Sequence, residues 1–206
     1  VTARWWVDRK DRLAREALAR EEKQAEKEVR ERQAALLGDW MRGNARHAEI
    51  DELLTDLVRE VGADRAVMIR VENGGKIPIP GELIKSSVVN QGFADPALSV
   101  RARWQEEPVS AYYRGAVLMP ILAGEVVKLY RGKMEEGVLR TLYEADGIAK
   151  SRVVGIRLEE GALFYMSINW CELPALPTAE IDDSVRVIKR RILRLLSGRP
   201  GEGVEL

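Results

Sequence analysis

The chain is poor in the residues that metal centres and redox chemistry use. Its 206 residues include one cysteine, Cys171, and one histidine, His47. A single cysteine excludes a disulfide within the chain and any cluster of cysteine metal ligands. Any histidine–carboxylate catalysis would depend on His47 alone, which stands in a charged, helix-forming stretch. Cys171 follows Trp170 at the end of an apolar run, so we expect a buried structural thiol, and no metal or cofactor is predicted.

A net charge and long apolar runs are absent as well. The 33 Lys and Arg residues balance 33 Asp and Glu residues. Nucleic-acid-binding domains usually carry net positive charge, so no nucleic-acid partner is expected. No window of about 18 apolar residues is available to span a membrane, and no signal peptide is visible. We therefore expect a cytoplasmic or virion-associated protein, or a membrane-tethered one if a segment precedes Val1.

What is present at the N-terminus is a highly charged helix. Residues 1–43 are predicted to form one long helix, in which 17 of the 25 residues from Asp8 to Arg32 are charged. Its apolar residues recur at steps of eleven, at Val7, Leu18, Val29 and Trp40. An eleven-residue step gives about 3.67 residues per turn, which favours a nearly straight association of helices. We expect this stalk to pair with a second copy and form a homodimer; the alternative is a solvated single helix.

Residues 44–197 carry the periodicity of one α+β domain, after a predicted break or bend at Gly38 and Gly43. Helical spacing of apolar residues predicts helices over 44–61, 109–119, 137–146 and 180–196. Alternation and turn signals such as Asn73-Gly74 and Glu159-Glu160-Gly161 predict antiparallel strands. The predicted strands are 65–72, 84–90, 125–130, 150–158 and 161–170, and residues 91–108 are predicted to be a surface loop. The first and last helices would cover one face of the sheet, and residues 198–206 would be a flexible tail.

The element order over residues 44–197 resembles a GAF domain, a sensory fold built on an antiparallel sheet. More narrowly, Ala-Asp-Arg-Ala-Val-Met-Ile-Arg-Val-Glu-Asn-Gly-Gly at residues 63–75, followed by Lys-Ser-Ser-Val-Val at 85–89, resembles GAF-like proteins of phages and some bacteria. Glu72 stands where those proteins commonly have histidine. The resemblance implies a module that binds cyclic nucleotides, tetrapyrroles or small metabolites, or one that dimerises.

Strand alternation suggests which residues would face a ligand. We assign Val67, Ile69 and Val71 to the helix-covered face of the sheet. We assign the polar side chains that alternate with the apolar ones on the first and last strands to the opposite face. A mixed lining of this kind is typical of a small-ligand pocket, although the wet side of a half-exposed sheet is also polar by default. The candidate ligand-binding residues are Arg70, Glu72, Lys85, Tyr112, Tyr113, Tyr165, Ser167 and Asn169, with Arg70 as the anchor for an anion.

No set of catalytic residues stands out. The sequence has no glycine-rich phosphate loop and no nucleophile elbow. The basic run Lys189-Arg190-Arg191 is opposite an apolar stripe, so it is predicted to be the solvated face of the last helix. The first hypothesis is therefore a non-enzymatic interaction module on a helical oligomerisation stalk, such as a phage accessory or structural protein with an unidentified protein partner. The second is a sensory module whose small ligand modulates the pairing of the stalk.

Overall fold

The computed structural model describes residues 2–72, 84–105, 107–109, 113–157 and 163–197. The predicted turns at Asn73-Gly74 and Glu159-Glu160-Gly161 and the predicted tail lie outside these residues. So do Asn73, Gly74 and Gly75 of the stretch that carries the phage-type resemblance. The chain divides into two compact units, Val1–Ala45 and Arg46–Leu206. None of the helices that the structure describes is both long enough and apolar enough to cross a bilayer.

The first helix, α1, spans Thr2–Val61, so of the break or bend predicted at Gly38 and Gly43 the break is wrong. A glycine inside a helix costs about 1 kcal/mol relative to alanine but does not by itself end the helix. A helix commonly ends where a residue takes a positive φ and the amide of the following residue donates a hydrogen bond to a carbonyl of the last helical turn. Gly62 does this, with φ of 59°, and the amide of Ala63 donates to the carbonyl of Val58 at 3.0 Å.

The described strands form one antiparallel sheet with the order β3-β2-β1-β6-β5-β4. The predicted strands are confirmed, and β2 is longer than expected because it extends through Gln91, Gly92 and Phe93. A two-residue strand, β3, closes one edge. The strands are β1 Arg65–Glu72, β2 Lys85–Phe93, β3 Glu107–Pro108, β4 Val126–Tyr130, β5 Lys150–Arg157 and β6 Leu163–Trp170.

Among the described residues, three further α-helices accompany the sheet: α2 Met119–Leu122, α3 Val138–Ala145 and α4 Thr178–Ser197. The predicted helix over 109–119 is found as a wider, π-helical turn at Arg114–Leu118 that leads directly into α2. A short 3-10 turn, Pro96–Leu98, begins after Asp95, whose side chain accepts a hydrogen bond from the amide of Ala97. The segment predicted to be a featureless surface loop therefore has local structure of its own.

One face of the sheet is covered by the C-terminal part of α1 and by α4, which confirms the predicted arrangement. The helices bury their apolar stripes against alternate residues of the central strands. Helix α1 approaches β2 so closely that a Cβ on Gly92 would stand 2.3 Å from the backbone nitrogen of Thr55. The shared core includes Leu54, Leu57, Ile188 and Ile192 of the helices with Ala66, Met68, Met166 and Ile168 of the sheet.

The opposite face of the sheet is also covered, by the segments between β2 and β5. Helix α2 packs on β5, where a Cβ on Gly155 would stand 2.8 Å from the carbonyl oxygen of Ile121. Helix α3 contributes Leu139 and Tyr143 to the same core. This second core joins Val67, Ile69, Val88, Val153 and Tyr165 of the strands to Val100, Val117, Leu118, Ile121 and Ile148. The sheet is therefore buried on both faces over its central strands.

Candidate functional site

The face that we assigned to β1 from the sequence is wrong. In the register of β1 with β6, Ile69 lies opposite Tyr165 and Val67 opposite Ser167. Arg70 lies opposite Phe164, on the face covered by α1 and α4, and it is exposed. The physical reason is that β1 is buried on both faces, and a strand of that kind has no polar alternation that identifies its two sides.

Lys85 is also on the other face from the candidate site. It pairs with Glu72 at the end of β1, and residues directly opposite each other in an antiparallel pair share a face. Glu72 alternates with Val71, so its position falls on the same side as Arg70, but its side chain lies outside the described part of the chain. Tyr112 lies outside it as well. Of the eight sequence-predicted residues, the structure brings Tyr113, Tyr165, Ser167 and Asn169 together.

The candidate cavity lies between the sheet and the segments that cover its second face, and its volume is about 290 Å³. Helix α3 forms one wall, and β2 and β6 contribute Ser86 and Tyr165. Most of the lining is apolar, and it consists of Trp104, Val109, Val138, Leu139, Leu142 and Ala145. The polar side chains in the lining are Ser86, Arg103, Tyr113, Asp146 and Tyr165. An apolar cavity with few polar groups is the usual form of a small-molecule site.

A buried carboxylate flanked by two arginines forms the charged end of this cavity. Asp146 follows the last turn of α3, and its side chain is 3 % exposed. Its Oδ1 accepts from Nη2 of Arg103 at 2.9 Å, and its Oδ2 lies 3.2 Å from Nη2 of Arg65. The second contact is an ion pair without the alignment of a hydrogen bond, since Oδ2 has no hydrogen-bond donor among the described residues. Arg65 is 6 % exposed, whereas Arg103 is 59 % exposed.

Two tyrosine hydroxyls form the other polar part of the cavity. The rings of Tyr113 and Tyr165 are tilted at 45° with their centroids 6.1 Å apart. The two phenols influence each other's ionisation, and Ser86 influences that of Tyr165. Burial raises the pKa of Tyr165 to about 12 and raises the pKa of Tyr113 well above its ordinary value of 10. Both phenols are therefore neutral at physiological pH and can donate hydrogen bonds.

A smaller pocket of about 20 Å³ lies beneath the candidate cavity, and Ser167 and Asn169 line it together with Arg65. Asn169 Oδ1 accepts from the hydroxyls of Ser151 at 2.6 Å and Ser167 at 2.9 Å. This volume is enough for about one water molecule. Ser167 and Asn169 therefore belong to a buried polar network below the cavity and do not line the cavity itself.

Folding stability should decrease at alkaline pH because the buried phenols must ionise. Burial raises the pKa of Tyr113, Tyr143 and Tyr165 in the folded chain above the unfolded value. Their contribution is fully present below a pH of about 10, the pKa of an unfolded tyrosine, and is lost as the pH rises through the folded pKa values. Thermal unfolding between pH 8 and 12 would measure the loss. Tyr165→Phe should make the decrease less steep, and full titration of all the tyrosines at 295 nm without loss of stability would contradict the prediction.

Sequence reasoning missed the residues that give the cavity its charge. Arg103 falls in the predicted surface loop, and the candidate ligand-binding residues include neither Arg65 nor Asp146. A usable signal was the position of Arg65 at the start of a strand that is otherwise apolar, since a buried arginine requires a carboxylate partner. No local pattern identifies Asp146 as that partner, because the two residues are far apart in the sequence.

In the described part of the chain, no group of His, Cys, Asp and Glu side chains has the arrangement of a metal site.

Solved structures with a similar fold include several GAF domains. The GAF domain region of a protein from Geobacter sulfurreducens PCA matches with a TM-score of 0.55 and 15% identity, over 77% of this chain and 97% of that chain. A phycocyanobilin-bound GAF domain from a cyanobacterial phytochrome matches with a TM-score of 0.55 and 9% identity, over 74% and 85%. The third GAF domain of Slr1393 from Synechocystis sp. PCC6803 matches with a TM-score of 0.56 and 9% identity, over 74% and 94%.

At these identities the likeness concerns the fold. The domain has a GAF-like α+β fold, an antiparallel sheet covered by helices and preceded by an N-terminal helix. No protein-family model matches the sequence, and no curated protein sequence matches it.

Proposed function

We propose that the domain is a non-enzymatic sensory module that binds a small organic molecule in the cavity beside Asp146. The observation that carries the proposal is the cavity itself, which has about 290 Å³ of space, mostly apolar walls and a few polar groups. This volume is at the small end of the range of roughly 300–1,000 Å³ that is usual for ligand sites. A small metabolite therefore suits it better than a large cofactor.

The bilins of some structural neighbours provide a comparison for the residues at this site. One neighbour is phycocyanobilin-bound and another is phycoerythrobilin-bound. The cavity of this chain is lined by neither cysteine nor histidine among the described residues, and Cys171 lies just beyond the end of β6. Covalent attachment of a bilin by a thiol is therefore not supported here, and the proposed ligand is held without a covalent bond.

The ligand proposal predicts a stabilisation that depends on space in the cavity. In a thermal-shift screen of nucleotides, cyclic nucleotides, tetrapyrroles and small aromatic compounds, a true ligand at a hundred times its Kd adds about 2.7 kcal/mol. For a domain of this size, that corresponds to an increase in Tm of about 5–10 °C. Leu142→Trp should abolish the shift, because Leu142 lines the cavity and an indole ring would fill it.

Thr141→Trp is the matched control, since Thr141 is exposed on the same helix and does not line the cavity. It should keep the full shift. Compounds that stabilise both variants equally would place their binding outside the cavity and would contradict the proposal.

A second candidate function is an interaction module on a helical stalk, and the exposed side chains of α1 support it. Val29, Leu36, Leu37 and Met41 are each more than half exposed on α1. Exposed apolar residues on an otherwise charged helix are expected where a second helix packs. We propose that α1 mediates a homodimer and that the module docks on another protein. The phage-type resemblance of residues 63–75 would suit an accessory role in a phage particle.

The stalk proposal predicts self-association through residues 8–40. Sedimentation should find the full chain dimeric at tens of micromolar and a chain that begins at Asn44 monomeric. In the full chain, Leu36→Glu should weaken the dimer because it places a charge in the apolar contact. Gln33→Glu, also exposed on α1, is the matched control and should leave the dimer unchanged. A monomeric full chain would refute the stalk.

A further inference from the structure

We infer that the ligand of the cavity is an apolar organic acid with a single carboxylate, and that Arg103 binds this carboxylate. This inference rests on the proposed ligand-binding function and specifies the chemistry of that ligand. It also moves the expected anion anchor from Arg70, which is on the opposite face, to a residue that lines the cavity.

The walls of the cavity determine the body of the ligand. Trp104, Leu139 and Leu142 are among its lining residues, and apolar atoms contribute most of its surface. Burying a polar group against such walls without a hydrogen bond costs roughly 1–3 kcal/mol. The part of the ligand that lies against these walls is therefore a hydrocarbon chain or an aromatic ring.

The charges determine the sign of the polar end. Arg103 and Asp146 are the charged side chains that line the cavity among the described residues, and Arg65 contacts Asp146 from the protein interior. Among these three described side chains, two guanidinium groups and one carboxylate give an excess of one positive charge. A cationic amine would be repelled there, whereas an anion would neutralise the excess charge.

Arg103 has the remaining donors that such an anion needs. A guanidinium carries five N–H donors. Within the described residues, the guanidinium of Arg103 makes one ion pair, from Nη2 to Oδ1 of Asp146 at 2.9 Å. Asp146 is buried and holds the guanidinium at the cavity, while the rest of the Arg103 side chain is largely exposed. The planar fork of arginine matches the two oxygens of a carboxylate.

The single excess charge also distinguishes a carboxylate from a phosphate. Sites for phosphate groups typically combine several donors, such as a glycine-rich loop, a helix N-terminus or a cluster of arginines. The remaining polar groups that line this cavity are the neutral hydroxyls of Ser86, Tyr113 and Tyr165. One positive charge with neutral hydroxyls suits a monoanion, and we therefore assign the ligand to the monocarboxylates.

Three compounds of nearly equal size and different charge test this inference: 3-phenylpropionate, 3-phenylpropionamide and 3-phenylpropylamine. Each is titrated into the full chain at about 1–10 mM, the range for millimolar Kd values, and methyl NMR signals of Val138, Leu139 and Leu142 report binding. A charge-assisted hydrogen bond should make the carboxylate bind about tenfold more tightly than the amide. The amine should bind more weakly than the amide.

Arg103→Gln should remove the preference for the carboxylate over the amide, and Arg70→Gln should keep it. Both arginines are exposed, so both variants should fold, and circular dichroism checks this. If the amide or amine binds as tightly as the carboxylate, or if Arg103→Gln keeps the preference, the inference is wrong. In another outcome, none of the three binds, but a compound without a carboxylate stabilises the chain and this stabilisation is lost in Leu142→Trp. The inference then fails while the proposed function stands. If no compound enters the cavity, both fail.

Discussion

Asp146→Ala is expected to lower the free energy of unfolding by about 3–5 kcal/mol, the range for removing one partner of a buried ion pair. Asp146 is 3 % exposed and Arg65 is 6 % exposed. Without the carboxylate, the Arg65 guanidinium would remain buried, and within the described residues it would keep one long contact, from Nη1 to the carbonyl of Leu98 at 3.4 Å. Urea unfolding followed by circular dichroism would measure the loss.

Asp183→Ala is the matched control for this prediction. Asp183 pairs with Arg186 at 2.8 Å, but both side chains are more than half exposed. Water screens such a pair, so its loss should cost less than about 1 kcal/mol. The double substitution of Arg65→Met with Asp146→Leu should recover much of the stability, because it removes the buried charge together with its partner. Equal losses for Asp146→Ala and Asp183→Ala would show that the buried ion pair contributes no more to the free energy of unfolding than the exposed one.

Leu57→Ala is expected to lower the free energy of unfolding by about 2–5 kcal/mol, as truncation of a buried leucine does. Leu57 is fully buried in the core between α1, α4 and the sheet. Near Leu57, the backbone of Thr55 lies against Gly92 of β2. This close backbone contact limits how far α1 can move into the cavity that the substitution leaves. Denaturant unfolding of the variant would measure the loss.

Leu173→Ala provides the comparison, because Leu173 is 70 % exposed in the connection that follows β6. Substitution of an exposed residue should change the stability by less than about 0.5 kcal/mol. A loss that small for Leu57→Ala would mean that α1 does not cover the sheet. The predicted layer arrangement would then be wrong.

The sequence predicted only part of the candidate site. Tyr165, Ser167 and Asn169 were assigned to the correct face because β6 alternates apolar and polar residues. Arg70 was assigned to the wrong face, since β1 is apolar at both Val67 and Met68 and its orientation cannot be recognised from alternation. Strand orientation depends on which neighbour each face meets, and that information is not local.

What the sequence by itself determined is the set of helices and strands and their general class. The apolar stripes of 44–61 and 180–196 required a sheet to cover, and the alternation of β6 and the turn residues required antiparallel pairing. These signals are local, because the spacing of side chains on one helix or strand decides which of them share a face.

The tertiary structure alone decided where the charged groups of the cavity meet. Arg65 begins β1, Arg103 lies in the connection between β2 and β3, and Asp146 follows α3, so only the packing of these segments brings the three side chains together. The same packing decided that both faces of the central sheet are covered, and it created the cavity between β6 and α3. The physical reason is that an ion pair and a cavity wall depend on distance in space, which residue spacing along the chain does not specify.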